Sequence, residues 1–401
     1  MKIHFDEIFL IPKSAIVFGV YCFAIIFSYW GSLMPWFLWP LQPLFILITA
    51  LFVAIAMFLS YFYTQNVVFT RNGYHIPTAM VAVVIISYRI FHGANMIGIV
   101  EGLFHIFIFF SIFKLDRDYL RKLVHICCVV MGGFLTISIF GFVLYLLGFP
   151  LPSFSTATED MMYTFENYYL FLVDDRFFFT LIPRFHSVFI EPGHLGTATS
   201  FLLLTQIGHW KKWYNIVLII TTLITFSLAA YVLFIMVMFA SAWIRHKQFF
   251  LKVIGILALL IGVGIGAFFY EQGDNMLFNL IIERMEVDDG KIVGDNRVTE
   301  SFEAVYEDYI KSDDILFGRE YKMEDFGFGN AGYRVYIYDN GLFGLLLIVL
   351  FYLSLIIYSK DPRAIVVMLI IGSAAFWVRS TPLAFYYFLP LYALPNMSKD
   401  D

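Results

Sequence analysis

One short stretch of the chain concentrates ionisable side chains against an apolar run. Residues 184–200 read RFHSVFIEPGHLGTATS, with Arg184, His186, Glu191 and His194 close together. Proline is favoured at the first position of a helix, and a helix start offers unpaired N–H groups and a positive dipole end. Membrane proteins use such broken helices to bind anions. The Pro192 break therefore predicts a helix N-terminus that, with Arg184, binds an anionic group.

Two states of Glu191 are compatible with this pattern. An ionised carboxylate needs arginine or hydrogen-bond partners, whereas a carboxyl whose pKa is raised by burial is suited to proton transfer. A purely structural alternative is a capping glutamate at a kinked helix. His186 and His194 are further candidates for a base, and we expect both to contact substrate.

Further arginines lie at the ends of apolar runs or in polar loops, namely Arg89, Arg297, Arg319 and Arg379. Cations at membrane rims are typically kept for anionic ligands or for buried pairing, so we expect them on the same side as Arg184. The competing interpretations are that Arg89 and Arg379 snorkel to the interface, or that the arginines form a structural salt-bridge network with the acidic loops.

The composition indicates a membrane protein. The chain has 401 residues, of which 60% are hydrophobic and 14% charged, and its mean hydropathy is +0.79. A soluble domain is about half apolar and a quarter charged, so this class is excluded. No P-loop, dinucleotide fingerprint or zinc motif occurs, and we expect no cofactor, metal site or nucleic-acid partner.

Apolar runs predict an all-α polytopic fold of about twelve transmembrane helices in one integral membrane domain, 1–401. The spans are 15–34, 41–63, 76–92, 94–113, 123–148, 187–208, 213–228, 229–244, 250–270, 340–358, 363–378 and 380–395. The Lys and Arg of the short connections favour a cytoplasmic N-terminus, and the C-terminus then lies on the same side.

The stretch 213–244 decides this topology. Both of its ends are basic, at Lys211–Lys212 and Arg245–Lys247, so we expect a hairpin that turns near Ser227–Ala230. Each arm then has about 16 residues, or roughly 24 Å, which is short of a ~30 Å hydrocarbon core. A single long helix would instead reverse the side of every later element.

Two extracytoplasmic loops remain, at 149–186 and 271–339. The second is large, acidic and partly helical, because apolar residues recur with helical spacing in NRVTESFEAVYEDYI at 296–310. Asp295 or Asn296 is the expected N-cap.

Glu101 and His105 form a separate polar pair in the fourth span. They stand four residues apart and so share a helix face. The pair is compatible with a proton relay or with an interhelical hydrogen-bonded contact.

Several motifs resemble those of Wzy-type polysaccharide polymerases, which belong with the O-antigen ligases. RFHSVFIEPGHLG at 184–196 resembles the family's Arg…Ser-x-Phe-x-Glu-Pro-x-x-Leu-Gly stretch, and TFSLAAY at 225–231 is similar to its small-residue turn. DNR at 295–297, LFG at 316–318 and the glycine-rich 327–347 are similar in place and pattern. The resemblance covers roughly 180–360 in motif and the whole chain in topology.

The resemblance implies a C-type glycosyltransferase-like fold and an inverting, metal-independent reaction at the outer face of the bacterial cytoplasmic membrane. Donor and acceptor would be oligosaccharide repeat units linked to undecaprenyl diphosphate. A chain-length regulator and a flippase are the further partners implied. O-antigen, capsule and exopolysaccharide are all products of such enzymes.

The family's two functional arginines match Arg184 and Arg297, with Arg319 as a substitute for the second. Fixed arginines suit a diphosphate leaving group, because they stabilise the negative charge that develops in the transition state. The acceptor hydroxyl needs a base, for which Glu191 is preferred over His186 and His194. Ligases carry a histidine in the large loop, and residues 271–339 contain none.

Two other functions compete with polymerisation. Twelve spans and the Glu101/His105 pair are compatible with a lipid-linked oligosaccharide flippase or transporter, although the large loop and the absence of internal repeats are not typical of one. An O-antigen ligase-type transferase of the same superfamily is the other alternative.

Overall fold

A computed structural model describes residues 12–63, 67–70, 74–93, 95–158, 163–174, 183–245, 298–326, 330–359 and 361–396, with scattered positions between 254 and 292. Arg297 and most of the predicted span 250–270 lie outside the described residues. The structure is 74% helical with few strands, so the predicted helical class is confirmed while the description as all-α omits two small sheets.

The helices are α1 Lys13–Gly31, α2 Phe45–Tyr63, α3 His75–Phe91, α4 Met96–Lys114, α5 Arg117–Leu146, α6 Pro192–Thr205, α7 Trp213–Ile224, α8 Leu228–Arg245, α9 Glu300–Tyr309, α10 Met323–Phe326, α11 Tyr333–Ile356, α12 Pro362–Val378 and α13 Phe385–Ala393. Short 3₁₀ helices span Trp36–Leu44, Asp313–Leu316 and Leu394–Asn396. Among the described residues, six helices are long and apolar enough to cross a membrane, namely α1, α2, α4, α5, α8 and α11. The count of about twelve spans stays a prediction.

Helix α6 lies at the centre of the bundle. It packs against α5, α7, α8 and α13, and every one of its residues except His194 is buried. Its 14 residues extend for only about 21 Å at 1.5 Å per residue. The helix therefore starts inside the protein, which gives its N-terminus protein neighbours on several sides.

The predicted span 187–208 began too early. Ser187 has a φ of +52°, in a left-handed conformation that does not continue a helix. Glu191 is extended, with φ −127° and ψ 129°, because the ring of Pro192 disfavours the helical region for the residue before it. The helix consequently starts at Pro192, as the break predicted.

The predicted break within 213–244 is confirmed, since α7 ends at Ile224 and α8 begins at Leu228. The turn between them lies against α6. A Cβ placed on Gly196 would come within 2.5 Å of the Ala230 Cβ and 2.9 Å of the Thr225 Oγ1. The small residues of this turn thus allow close approach of two helices.

We expect Gly196→Ala to lower the free energy of unfolding by about 1–3 kcal/mol, because an added methyl overpacks this contact. Ala230→Gly in the same chain removes the opposing Cβ and should recover part of the loss. Thermal unfolding of the two variants in detergent measures the effect. Equal melting temperatures for Gly196→Ala and the native chain would contradict the close packing.

The loop 149–186 contains a three-stranded antiparallel sheet that the sequence did not predict. Its strands are β1 Phe154–Ala157, β2 Thr164–Asn167 and β3 Leu172–Asp174, in the order β1-β2-β3. Phe165 and Leu172 of the sheet form a small core with Ile190, just before α6. The sheet therefore supports the site-bearing stretch directly. A two-residue ribbon, β4 Val287–Asp288 and β5 Lys291–Ile292, lies in the second loop.

The second loop is partly helical, as predicted, but α9 begins later than expected. Its N-cap is Thr299, whose side chain accepts a hydrogen bond from Phe302 N, so neither Asp295 nor Asn296 caps it. Phe302 and Tyr309 pack on the first turns of α11. Helix α11 itself starts at Tyr333, before the predicted residue 340, because these contacts extend it outward.

Two glycine motifs of the second loop meet at a kink in α11. Gly318 and Gly341 have φ of +86° and +66°, values that suit glycine. A Cβ on Gly318 would lie 2.7 Å from Gly341 N, and a Cβ on Gly341 would lie 2.6 Å from Gly318 N. Only residues without a side chain allow the two backbones to touch in this way.

Candidate functional site

The stretch 183–191 crosses the protein interior as an irregular strap tied to three separate parts of the chain. Hydrogen bonds run from Trp36 N to Val188 O (3.0 Å), from Leu172 N to Ser187 O (2.7 Å) and from Phe185 N to Ile224 O (3.1 Å). The 3₁₀ segment after α1, the sheet and the α7–α8 turn therefore all hold the residues that precede α6.

Glu191 is the centre of the polar cluster at the start of α6. Its Oε2 accepts a hydrogen bond from Arg379 Nη1 at 3.1 Å, and its Oε1 accepts one from the Tyr163 hydroxyl at 3.1 Å. His194 Nε2 lies 3.6 Å from Oε2. The side chain of Glu191 is 29% exposed and that of Arg379 is 12% exposed. An arginine from the end of α12 and a tyrosine from the sheet thus converge on one carboxylate.

The surroundings of Glu191 favour the ionised alternative. Burial would raise its pKa, but the neighbouring His194, the positive charge of Arg379 and the hydrogen bonds from Arg379 and Tyr163 hold it at about 2. A carboxylate with so low a pKa is a weak base. Of the two alternatives, the surroundings therefore favour an ionised Glu191 that orients its neighbours.

Arg379 packs directly over the first turn of α6. A Cβ placed on Gly193 would overlap Arg379 Nη2, and it would lie 3.5 Å from the Ser227 Oγ. Arg379 Nε is buried without a hydrogen-bond partner among the described residues. The guanidinium thus adds a full positive charge to the positive end of the helix dipole.

Arg184 approaches the same region from the other side of the α7–α8 turn. Its Nε donates to the Thr225 carbonyl at 3.1 Å, while Ser227 of that turn lies next to Gly193. The fold therefore brings Arg184 and Arg379 to the same α7–α8 turn, although 195 positions separate them in the chain.

His186 lies deeper than its neighbours. Its side chain is buried, its Nδ1 is 3.2 Å from the Ile190 carbonyl, and its ring contacts that of Phe165. Burial and the nearby Arg184 charge lower its pKa to about 4, against the opposing effects of Asp174 and Glu191. His186 therefore closes the turn that leads to Glu191, and it has no surface through which to meet a substrate.

Acid titration should separate the contributions of His186 and Glu191 to the stability of the fold. The pKa of His186 falls from 6.5 to about 4 on folding, so the stability that it contributes is lost as the pH falls from 6.5 towards 4. Glu191 falls from 4.5 to about 2, so its contribution is present above pH 4.5 and is lost towards pH 2.

We expect the melting temperature of Glu191→Gln to lie below that of the native chain at neutral pH. The gap should narrow only as the pH falls from 4.5 towards 2, and both proteins should share the earlier loss between pH 6.5 and 4. A gap that is constant down to pH 3, measured by thermal unfolding in detergent, would mean that Glu191 is not the ionised partner.

Arg89 belongs to a different cluster. It forms an ion pair of 2.8 Å with Glu101 across α3 and α4, and both side chains are partly exposed. Arg89 is thus paired within the protein, although the pair is not buried as one of the expectations had it. His105 contacts the Glu101 backbone carbonyl at 3.1 Å and does not contact its carboxylate. The structure thus provides no side-chain relay between Glu101 and His105.

Arg319 also has protein partners of its own. It bonds Asp314 at 2.8 Å, lies over the Tyr309 ring, and its side chain is 39% exposed. Its backbone follows Gly318, which fixes it at the α11 kink. Arg319 therefore stands on the second loop, where a partly exposed cation can still change partners, while Arg297 falls outside the described residues.

Tyr163 and Ser227 are site residues that the sequence did not reveal. Tyr163 follows no motif and reaches Glu191 only because β2 folds back over the strap. Ser227 belongs to the TFSLAAY motif at 225–231, and its small side chain was the sequence signal that could have pointed to a close contact there. Within the described part of the chain, no group of three or more His, Cys, Asp or Glu side chains is arranged to hold a metal ion.

The site therefore consists of two arginines, a carboxylate and two histidines around a helix start, with a tyrosine from the sheet. This arrangement can bind an anion and orient a proton acceptor next to it. No protein-family model, curated protein or solved structure matches this chain.

Proposed function

We propose that this chain polymerises undecaprenyl-diphosphate-linked oligosaccharide repeat units by inverting, metal-independent glycosyl transfer. The observation that carries the proposal is the convergence of Arg184 and Arg379 on the α7–α8 turn at the start of α6. The two stretches with polymerase-like motifs, 184–196 and 225–231, are thus packed against each other around two cations.

The chemistry of this cluster suits a diphosphate leaving group. Negative charge on the bridging oxygen grows as the glycosidic bond breaks, and fixed cations in a water-poor site stabilise that charge. Guanidinium groups bind phosphate oxygens through paired N–H donors. Arg184 and Arg379, with the N–H groups at the start of α6, would hold the diphosphate.

An apolar cavity supports a substrate that carries hydrocarbon. It has a volume of about 150 Å³ and opens between α11 and α12, with Tyr352, Phe376, Pro382 and Tyr387 in its lining. Phe376 and Pro382 flank Arg379 along the chain. The segment that carries Arg379 therefore also contributes to the lining of an apolar cavity, which suits a substrate with a hydrocarbon chain.

The second loop supports the same proposal. The LFG and NGLFG motifs meet through Gly318 and Gly341, which puts Arg319 at the base of the loop. We infer that this loop binds the sugars, with Arg297 or Arg319 near the second lipid-linked unit. The proposed location is the bacterial cytoplasmic membrane, with the site at its outer face and both termini in the cytoplasm.

The test is reconstitution of the purified chain in phospholipid vesicles with undecaprenyl-diphosphate-linked repeat units. Polymerisation should yield a ladder of products that differ by one repeat, together with released undecaprenyl diphosphate. Movement of unpolymerised units across the vesicle membrane would indicate a flippase. Transfer only to added lipid A core would indicate a ligase.

A further inference from the structure

Helix α6 carries one residue that is not buried, and it is His194. Thirteen residues of the helix are enclosed by neighbouring helices, whereas the His194 side chain is 22% exposed. It stands in the first turn, beside the Tyr386 ring. Part of the His194 side chain is therefore accessible next to the start of α6, although its Nδ1 is buried.

The partner of His194 is the carboxylate of Glu191. Nε2 lies 3.6 Å from Oε2, slightly longer than a hydrogen bond, and catalytic contacts of this kind commonly tighten when substrate binds. A proton on Nε2 faces the carboxylate, which leaves the lone pair on Nδ1. Nδ1 is buried and has no hydrogen-bond partner in the part of the chain that the structure describes, so the acceptor must displace neighbouring atoms at the first turn of α6 to reach it.

We propose that His194 is the general base that takes the proton from the acceptor hydroxyl, with Glu191 as its orienting carboxylate. This inference rests on the proposed polymerase function. The large loop 271–339 contains no histidine that could act as the base. The proposal therefore places the base at the start of α6.

The other two candidates are less suited to this role. Both oxygens of Glu191 already accept hydrogen bonds, from Tyr163 and from Arg379, and these donors stabilise the ionised carboxylate and make it a weaker base. His186 is 1% exposed and contacts the Ile190 carbonyl. His194 alone combines an orienting carboxylate, an unpartnered ring nitrogen and partial exposure.

The proposed reaction transfers the donor glycan to the acceptor and one proton to His194. The acceptor oxygen forms a bond to the anomeric carbon of the donor sugar while the bond from that carbon to the diphosphate oxygen breaks. The bonding electrons leave with undecaprenyl diphosphate, and the hydroxyl proton passes to Nδ1 of His194. The resulting imidazolium keeps its Nε2 proton towards Glu191 and later releases the transferred proton to water.

The charges around His194 suit it both before and after it accepts the proton. The charged groups that face it are Glu191 and Arg379, and Tyr386 is the other titratable neighbour. Before transfer, burial of the ring and then the Arg379 guanidinium disfavour a positive charge on His194, which keeps the imidazole neutral and able to accept a proton. After transfer, the Glu191 carboxylate stabilises the imidazolium, as in other carboxylate–histidine pairs.

The decisive experiment compares His194→Gly with the native chain in the reconstituted polymerisation assay. We expect the rate of elongation to fall about 10²–10⁴-fold, with little change in the binding of the lipid-linked donor. Added imidazole should restore part of the rate, and a series of substituted imidazoles should rescue in order of their basicity. His209→Gly, at an exposed position beyond the other end of α6, is the matched control and should elongate normally.

The possible outcomes distinguish the assignment of His194 as the base from the proposed polymerase function. Normal elongation by His194→Gly would overturn the base assignment and leave the polymerase function intact. A loss that no imidazole rescues, with weakened donor binding, would make His194 a structural residue and also overturn the assignment. Absence of elongation by the native chain would overturn the polymerase function and, with it, the base. His194→Gln, which keeps a polar side chain, should fold with a melting temperature close to native while remaining as slow as His194→Gly.

Discussion

Replacing Arg379 with alanine should destabilise the protein by about 3 kcal/mol and abolish chain elongation. The guanidinium is the charged partner of Glu191 at 3.1 Å. Its removal leaves a largely buried carboxylate without a counter-charge, and breaking a buried pair from one side costs several kcal/mol. Elongation should also stop, because the cation proposed to hold the diphosphate is gone.

The double variant Glu191→Ala/Arg379→Ala distinguishes the loss of stability from the loss of elongation. Removing the carboxylate as well should recover most of the lost stability, since no uncompensated charge remains, while elongation stays absent. Melting temperatures in detergent and product ladders in vesicles measure the two quantities. Arg363→Ala, at the opposite end of α12, is the control. A double variant as unstable as Arg379→Ala would contradict the ion-pair account.

Arg184→Ala should slow elongation about 10²–10³-fold, the effect of removing one fixed donor from a developing anion. In cells, glycans of a single repeat should replace long chains. The variant also loses the bond from Arg184 to the Thr225 carbonyl, so its stability is measured separately from its rate. The measurement is the rate of product-ladder growth at saturating substrate, with thermal unfolding alongside.

Arg117→Ala is a close control for this variant. Arg117 also donates to a backbone carbonyl of a distant segment, that of Tyr358, at 3.1 Å, but it starts α5 away from the Glu191 cluster. We expect Arg117→Ala to elongate normally despite the loss of this bond. If both variants elongate at the native rate, Arg184 does not hold the leaving group.

The parts of this site that sequence could predict are those set by local backbone preferences. The helix start at Pro192 follows from the fixed φ of proline and the restriction it places on Glu191. The break between α7 and α8 followed from basic residues at both ends of one apolar stretch. Each of these inferences needs only residues that are neighbours in the chain.

The contacts between distant segments could not be predicted. Glu101 suggested a pairing with His105, four residues away, but its carboxylate bonds Arg89 on the preceding helix. Glu191 finds Arg379 and Tyr163, at separations of 188 and 28 residues. The strands at 154–174 have only three or four residues each, too few to show a period against an aromatic-rich background.

The distance along the chain between Glu191 and Arg379 has a consequence for biosynthesis. A ribosome that adds about 5–20 residues per second needs roughly 10–40 s to travel the 188 residues that separate them. During this interval Glu191 lacks its Arg379 partner, and we expect burial to favour its protonated form. We expect the arrival of Arg379 to favour the ionised carboxylate. The Glu191–Arg379 ion pair can therefore form only after α12 has been synthesised, late in the assembly of the chain.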